Sequence, residues 1–312
     1  MGKELYRAQA AARWVFDRAG EVLKRDIAKL CFEGPENELQ TTANSQPAIF
    51  TTSIATLNVL VEKLKGGPVG EETREIFSPE DIRSVGLLAM GLSLGEPTAL
   101  VASGALSFED GLRFVEKRGE FMEEASQKKE GKMASIMGLE LEKVEELCKG
   151  VGCQVANLNS PGQVVISGPA NRVELAADLA KTAGAKRAIM LKVSGAFHSE
   201  LMAPAKEKLK TVLDGMELKE PVIDFISNIS AEVTKDPEKI KENLADQLDN
   251  RTLWEASVKK AASLGVTDYL EIGPGSVLKG LLKKIDGSLN VTTLHTMEDI
   301  NILLGAKQPS DI

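Results

Sequence analysis

The segment "GLSLGEPTAL", residues 91–100, sets Gly91, Ser93 and Gly95 in the spacing G-x-S-x-G. That spacing puts a serine on a sharp strand-to-helix turn with its hydroxyl exposed. Such a serine attacks an acyl carbon when a neighbouring base takes its proton. The same pentapeptide also fits a plain turn. Only two histidines, His198 and His295, are available as imidazole bases. His198 lies in "VSGAFHS", directly after an apolar run, at what reads as the C-terminal end of a strand. Open α/β sheets gather their active sites there. Ser93 and His198 are therefore paired as nucleophile and base. Their order differs from that of lipases and esterases, where an acid intervenes and the histidine comes late. Pro97 falls in the turn after the serine. Its missing N–H and the contact of its ring with the Ser93 carbonyl cost up to ~3 kcal/mol inside a helix, less at a terminus, so a tightened first turn is expected.

The elements that must position these residues alternate. Residues 3–30 carry apolar side chains at 3- and 4-residue steps and read as one helix. "NSQPAIFTTSIATLNVLVEKL" reads as a second helix capped by Asn44 or Ser45, and "KGGPVGEETREIFSPEDI" as a polar loop. "RSVGLLAM" is a short buried strand leading into Ser93, and a long helix comes after it, with Ser107 and Asp110 at capping-box spacing. Residues 130–194 then read βαββαβ, the ferredoxin-like order, as an inserted unit. After it come the strand "VIDFISNI", helices near 237–249 and 252–264, the strand "DYLEIG" and the helix "SVLKGLLKKI". The fold class expected is α/β: a large parallel-sheet domain over 1–129 and 195–312, with a small subdomain over 130–194. "GPG" at 273–275 reads as a tight strand-to-helix turn.

Several blocks in order resemble the malonyl-CoA:acyl-carrier-protein transacylase family of fatty-acid and polyketide synthesis. They are "GLSLGE" (the family's G-H-S-L-G-E, with Leu92 for histidine), "VEKRGEFMEEA", "NLNSPGQVVISG", "GAFHS" and "EIGPGSVLKGL". The resemblance implies an α/β-hydrolase-like domain and a ping-pong reaction. Ser93 would be acylated by malonyl-CoA, His198 would act as base and then acid, and the main-chain carbonyl of Gln247 would orient the imidazole. The Leu94 N–H would serve the oxyanion hole. Arg118 would clamp the malonyl carboxylate beside Met122, and Phe197 would leave little room for an α-methyl branch. Asn159 lies in a matched block, and also suits a turn before Ser160-Pro161-Gly162. The carrier protein's phosphopantetheine thiol would take the acyl group, with no metal or redox cofactor.

The family also opens with an apolar strand ending in a G-Q-G-x-Q turn, which supplies a second oxyanion N–H. "MGKELY" resembles the family's residues immediately after that turn, so a strand and turn on the order of 10–20 residues are expected upstream of Met1. Without them, a catalytically impaired carrier-binding module is one alternative reading. A serine thioesterase or esterase is another, which Arg118 argues against.

Bulk properties narrow the field. The 312-residue chain carries a formal net charge of −8, which argues against nucleic-acid binding. No run reaches the ~20 apolar residues of a membrane span, and the charged N-terminus has no signal-peptide h-region. Three cysteines, Cys31, Cys148 and Cys153, lack metal spacing, and their odd number fits a reduced cytoplasmic protein. A monomer is expected.

Overall fold

Residues 1–66 and 76–305 are described by the computed structural model. Of the polar loop read over 65–82, residues 67–75 lie outside the described part, as do residues 306–312 of the tail. The expected first helix is three: Lys3–Ala8, Ala10–Leu23 and Ile27–Glu33. Gln9 interrupts it in an extended conformation, Lys24 turns left-handed, and the Asp26 side chain caps the third piece through the Lys29 N–H. Periodicity survives such breaks because each piece still buries one stripe. The second helix, Thr42–Lys65, starts after Thr41. Asn44 does not cap it: its amide donates to the Glu38 carbonyl at 2.9 Å and its oxygen accepts from Arg25 at 2.6 Å. The long helix Phe108–Lys128 is capped as expected, with Ser107 accepting the Asp110 N–H. These helices share one core, in which Phe50 stacks on Phe108 with ring centroids 5.8 Å apart.

The parallel sheet consists of two separate pairs. Strand β1, Leu88–Ala89, pairs with β6, Asp224–Phe225, and β7, Asp268–Ile272, pairs with β8, Asn290–Leu294. "RSVGLLAM" therefore yields only two strand residues, its start being taken by the helix Pro79–Val85. Strand β8 and the helix Met297–Leu303 after it add to the elements expected from the sequence. Both pairs lie between the same two layers. Ala89, Leu270 and Ile272 pack on the helical core around Phe50, whereas Met90 and Tyr269 pack on a second cluster built around Trp254 and Leu281.

The small body keeps the order read from the sequence. Strands β2 (Gly131–Met137), β3 (Gln154–Ser160), β4 (Gln163–Pro169) and β5 (Arg187–Met190) form one antiparallel sheet in the order β3-β4-β2-β5. Helices Leu141–Val151 and Ala170–Thr182 cover one face over Ile136, Val144, Ile166 and Val173. The other face, through Met133, Ala156 and Val165, packs on Phe197. β3 is stitched to the large body at Thr252, whose N–H and C=O bond Ala156 O and Leu158 N at 2.9 Å each. The small sheet thus braces the loop that carries His198. Among the described residues no helix is long and apolar enough to cross a membrane.

Candidate active site

Ser93 sits where β1 gives way to the helix Gly95–Ala102, with a left-handed φ of 52°. Strain of this kind in a non-glycine residue marks a turn built for exposure of the side chain. The turn is tight on one side only. A Cβ on Gly91 would lie 2.0 Å from the Gly95 carbonyl oxygen, whereas one on Gly95 would meet nothing within 4 Å. The helix runs through Pro97. The Ser93 carbonyl, denied the N–H of residue 97, accepts from the Glu96 N–H and from Gln247 Nε2 at 3.1 Å each. The first turn is tightened, with no break.

His198 Nε2 lies 2.8 Å from Ser93 Oγ, and His198 Nδ1 lies 2.7 Å from the Gln247 carbonyl oxygen. A carbonyl only accepts, so Nδ1 carries the hydrogen and Nε2 is free to take the serine proton. Gln247 is the C-cap of the helix Pro237–Asp246, where carbonyls have no partner within the helix. That end also accepts the His198 N–H, at Leu248 O, 3.0 Å away. Burial pushes the imidazole down to about 4, assisted by the Arg118 charge and opposed by the bonds with Gln247 and Asn250. His198 is neutral at pH 7, as a proton acceptor must be.

Arg118 comes from the middle of the helix Phe108–Lys128 and is only 2% exposed. Its guanidinium donates to Gln46 Oε1 at 2.8 Å, Ser93 Oγ at 3.0 Å and Gln247 Oε1 at 2.8 Å. Burial lowers it to about 10, against the pull of the Glu96 charge, so it stays cationic. One turn along the same face is Met122, whose sulfur accepts from Gln46 Nε2 at 3.4 Å. A cavity of about 270 Å³ opens onto Ser93, Leu94, Arg118, Met122, Phe197 and Lys192, among others. Asn159 is on β3, with a buried Oδ1 that has no partner, and is not among the residues lining that cavity.

Three further residues belong to the site and lie outside the sequence reading. Asn228 comes just after β6; its Oδ1 accepts the Ser93 N–H at 2.7 Å and its Nδ2 donates to the Gly91 carbonyl at 2.6 Å. Glu96, fully buried, accepts the Asn228 N–H at 3.0 Å and the Gln247 side-chain amide. Burial pushes its carboxyl up to about 7, held back by Asn228, Ser227, Gln247 and Arg118. Gln46 holds Arg118 from the opposite side. The signal available for Asn228 is a polar residue directly beyond an apolar parallel strand; for Glu96, an acid in an otherwise apolar turn.

A half-buried serine paired with a buried histidine whose imidazole is oriented by a main-chain carbonyl, on a split parallel sheet with an antiparallel unit beside it, defines a class. Residues 1–295 match the acyl transferase domain family, and the chain belongs to it. Within that class, its relatives carry one name. The malonyl CoA-acyl carrier protein transacylase of Bacillus subtilis (strain 168) is 47% identical over 309 residues, covering 97% of this chain and 92% of its own. That of Staphylococcus aureus (strain MRSA252) is 34% identical, covering 96% and 92%. Among solved structures, the acyl-carrier-protein-S-malonyltransferase of Bartonella henselae superposes with a TM-score of 0.86 at 36% identity, over 98% of this chain and 94% of its own. A malonyl-transacylase in complex with a type II PKS acyl-carrier protein gives 0.88 at 36%, over 98% and 94%.

Proposed function

We propose that the chain transfers malonyl from malonyl-CoA to the phosphopantetheine thiol of acyl carrier protein, in fatty-acid synthesis. The observation that carries this is Arg118: a buried cation 3.0 Å from the nucleophile's oxygen, facing a cavity large enough for an acyl group with a terminal carboxylate. Ser93 Oγ attacks the thioester carbonyl while its proton passes to His198 Nε2. The tetrahedral oxyanion is met by the Leu94 N–H at the head of the helix Gly95–Ala102, where backbone donors and the helix dipole favour negative charge. The C–S bond breaks, and CoA leaves as its thiol with the proton from His198. The carrier's thiol then repeats the sequence in reverse roles, regenerating Ser93. Both half-reactions balance without electron transfer, so no cofactor is required. Met122 and Phe197 line the acyl pocket, and Phe197 disfavours a branched extender.

The same reading divides the chain into an α/β-hydrolase-like domain, 1–129 and 195–312, and a ferredoxin-like subdomain, 130–194. The strand order β3-β4-β2-β5 supports the latter. It makes the enzyme a monomer in the cytoplasm, the location being supported by three free buried cysteines.

Intact-mass analysis after incubation with malonyl-CoA tests the function. A malonyl adduct present in the wild type, absent in Ser93→Ala and discharged by holo carrier protein is expected. Discharge as free malonate would point to a hydrolase, and no adduct to a binding module.

A further inference from the structure

Among the described residues Glu96 has no direct ion-pair partner, although a buried carboxylate without compensation is costly. Its compensation runs through an amide. One carboxylate oxygen accepts the Gln247 side-chain N–H, and the Gln247 Oε1 accepts from Arg118 at 2.8 Å. The other accepts the Asn228 N–H at 3.0 Å, and Asn228 in turn holds the Ser93 N–H and the Gly91 carbonyl. The two ends of a glutamine amide are nearly identical in shape, so its partners decide which way it points: Nε2 donates to the Ser93 carbonyl at 3.1 Å as well as to Glu96, and Oε1 faces Arg118. An anion on one side and a guanidinium on the other leave a single orientation.

We propose that Glu96 is a positioning residue of the acyl-transfer site: its carboxylate fixes the Gln247 amide, so that Oε1 faces Arg118 and the main-chain carbonyl stays on His198. The catalytic trio and the serine turn are then held from one buried point. Only the donor-selection part of this inference rests on the transacylase reading.

Glu96→Gln keeps the shape and reverses the logic. Its oxygen is claimed by the Asn228 N–H, so its NH₂ faces the Gln247 NH₂. Gln247 is then divided between two orientations: turning its oxygen inward satisfies residue 96, but breaks the bond to the Ser93 carbonyl and presents a donor to Arg118, itself only a donor. The double variant Glu96→Gln/Gln247→Glu restores complementary partners on two sides: the carboxylate introduced at position 247 accepts from both residue 96 and Arg118, at the loss of the bond to the Ser93 carbonyl. Two rates are read at about pH 8, above the value of about 7 to which burial pushes the wild-type carboxyl. Phosphonylation of Ser93 by a fluorophosphonate, with fluoride leaving and the serine proton passing to His198, reports the Ser93–His198 arm without any malonyl donor. Single-turnover acylation by malonyl-CoA and by acetyl-CoA reports the Arg118 arm.

Glu96→Gln is expected to slow phosphonylation about tenfold. It is expected to lower malonyl acylation by roughly 100-fold, the upper part of the range for a lost hydrogen bond to a charged group, and acetyl acylation by only about tenfold. The double variant recovers both arms to within about fivefold of wild type. Rates within about twofold of wild type in the single variant would overturn the proposal. So would equal losses toward the two donors, which is what general destabilisation produces, or a double variant as slow as the single one. If wild-type Ser93 reacts with the fluorophosphonate but not with malonyl-CoA, the donor reading fails, and the phosphonylation arm still decides the role of Glu96.

Discussion

The small sheet and the candidate active site are built in opposite ways. The small sheet closes over an aliphatic cluster, Ile136, Val144, Ile166 and Val173, with neighbouring strands paired in antiparallel register. The centre is a cluster of buried polar side chains: Glu96, Arg118, His198, Asn228 and Gln247. An apolar core tolerates changes of shape in proportion to the volume removed. A polar network leaves unpaired partners whenever one member goes. The difference teaches that the apolar packing of the small sheet and the polar contacts of the site answer to substitution in different ways, although the two meet at Phe197 and Thr252.

The largest effect expected to test that contrast is at His198. His198→Ala should reduce Ser93 acylation by ~10²–10⁴, the usual worth of a general base, in the folded fraction. Gly91→Ala comes next, because its Cβ would sit 2.0 Å from the Gly95 oxygen. Acylation per folded molecule should drop at least about tenfold as the turn is forced open, whereas Gly95→Ala should leave it unchanged. In the small sheet, Ile136→Ala should cost about 2–5 kcal/mol in denaturant unfolding of that body while the acylation rate of the folded fraction holds. A rate that falls in parallel with stability would merge the two regions.

The smallest effect is in titration. NMR of the His198 ring should give a pKa of about 4, and Arg118→Met should raise it, since the guanidinium is the second cause of its depression after burial. The folded value lies below the ordinary 6.5, so between those values the folded chain binds fewer protons at His198 than the unfolded chain does. This contribution to stability is present above pH 6.5 and is lost as the pH falls to about 4.

Much of the small sheet is legible in the sequence because apolar alternation and helical periodicity are local: every strand and helix of 130–194 can be read from its own residues. Ser93 and His198 are legible because each sits at the end of an apolar run, and Arg118 and Gln247 through the family resemblance. Asn228 and Glu96 escape because their meaning lies in contacts across 135 and 151 residues, which no local spacing encodes. Pairing as short as two residues also hides the limits of β1 and β6.

Donor choice is tested most directly by single-turnover acylation of Ser93 with malonyl-CoA and with acetyl-CoA, in the wild type and in Arg118→Met. The wild type should prefer malonyl by about a hundredfold. The variant should lose ~10²–10³ toward malonyl-CoA, as expected when one partner of a buried charge pair is removed, and react with both donors at similar rates. A preference that survives in Arg118→Met, or a wild type that takes both donors equally, would contradict a site built around the carboxylate.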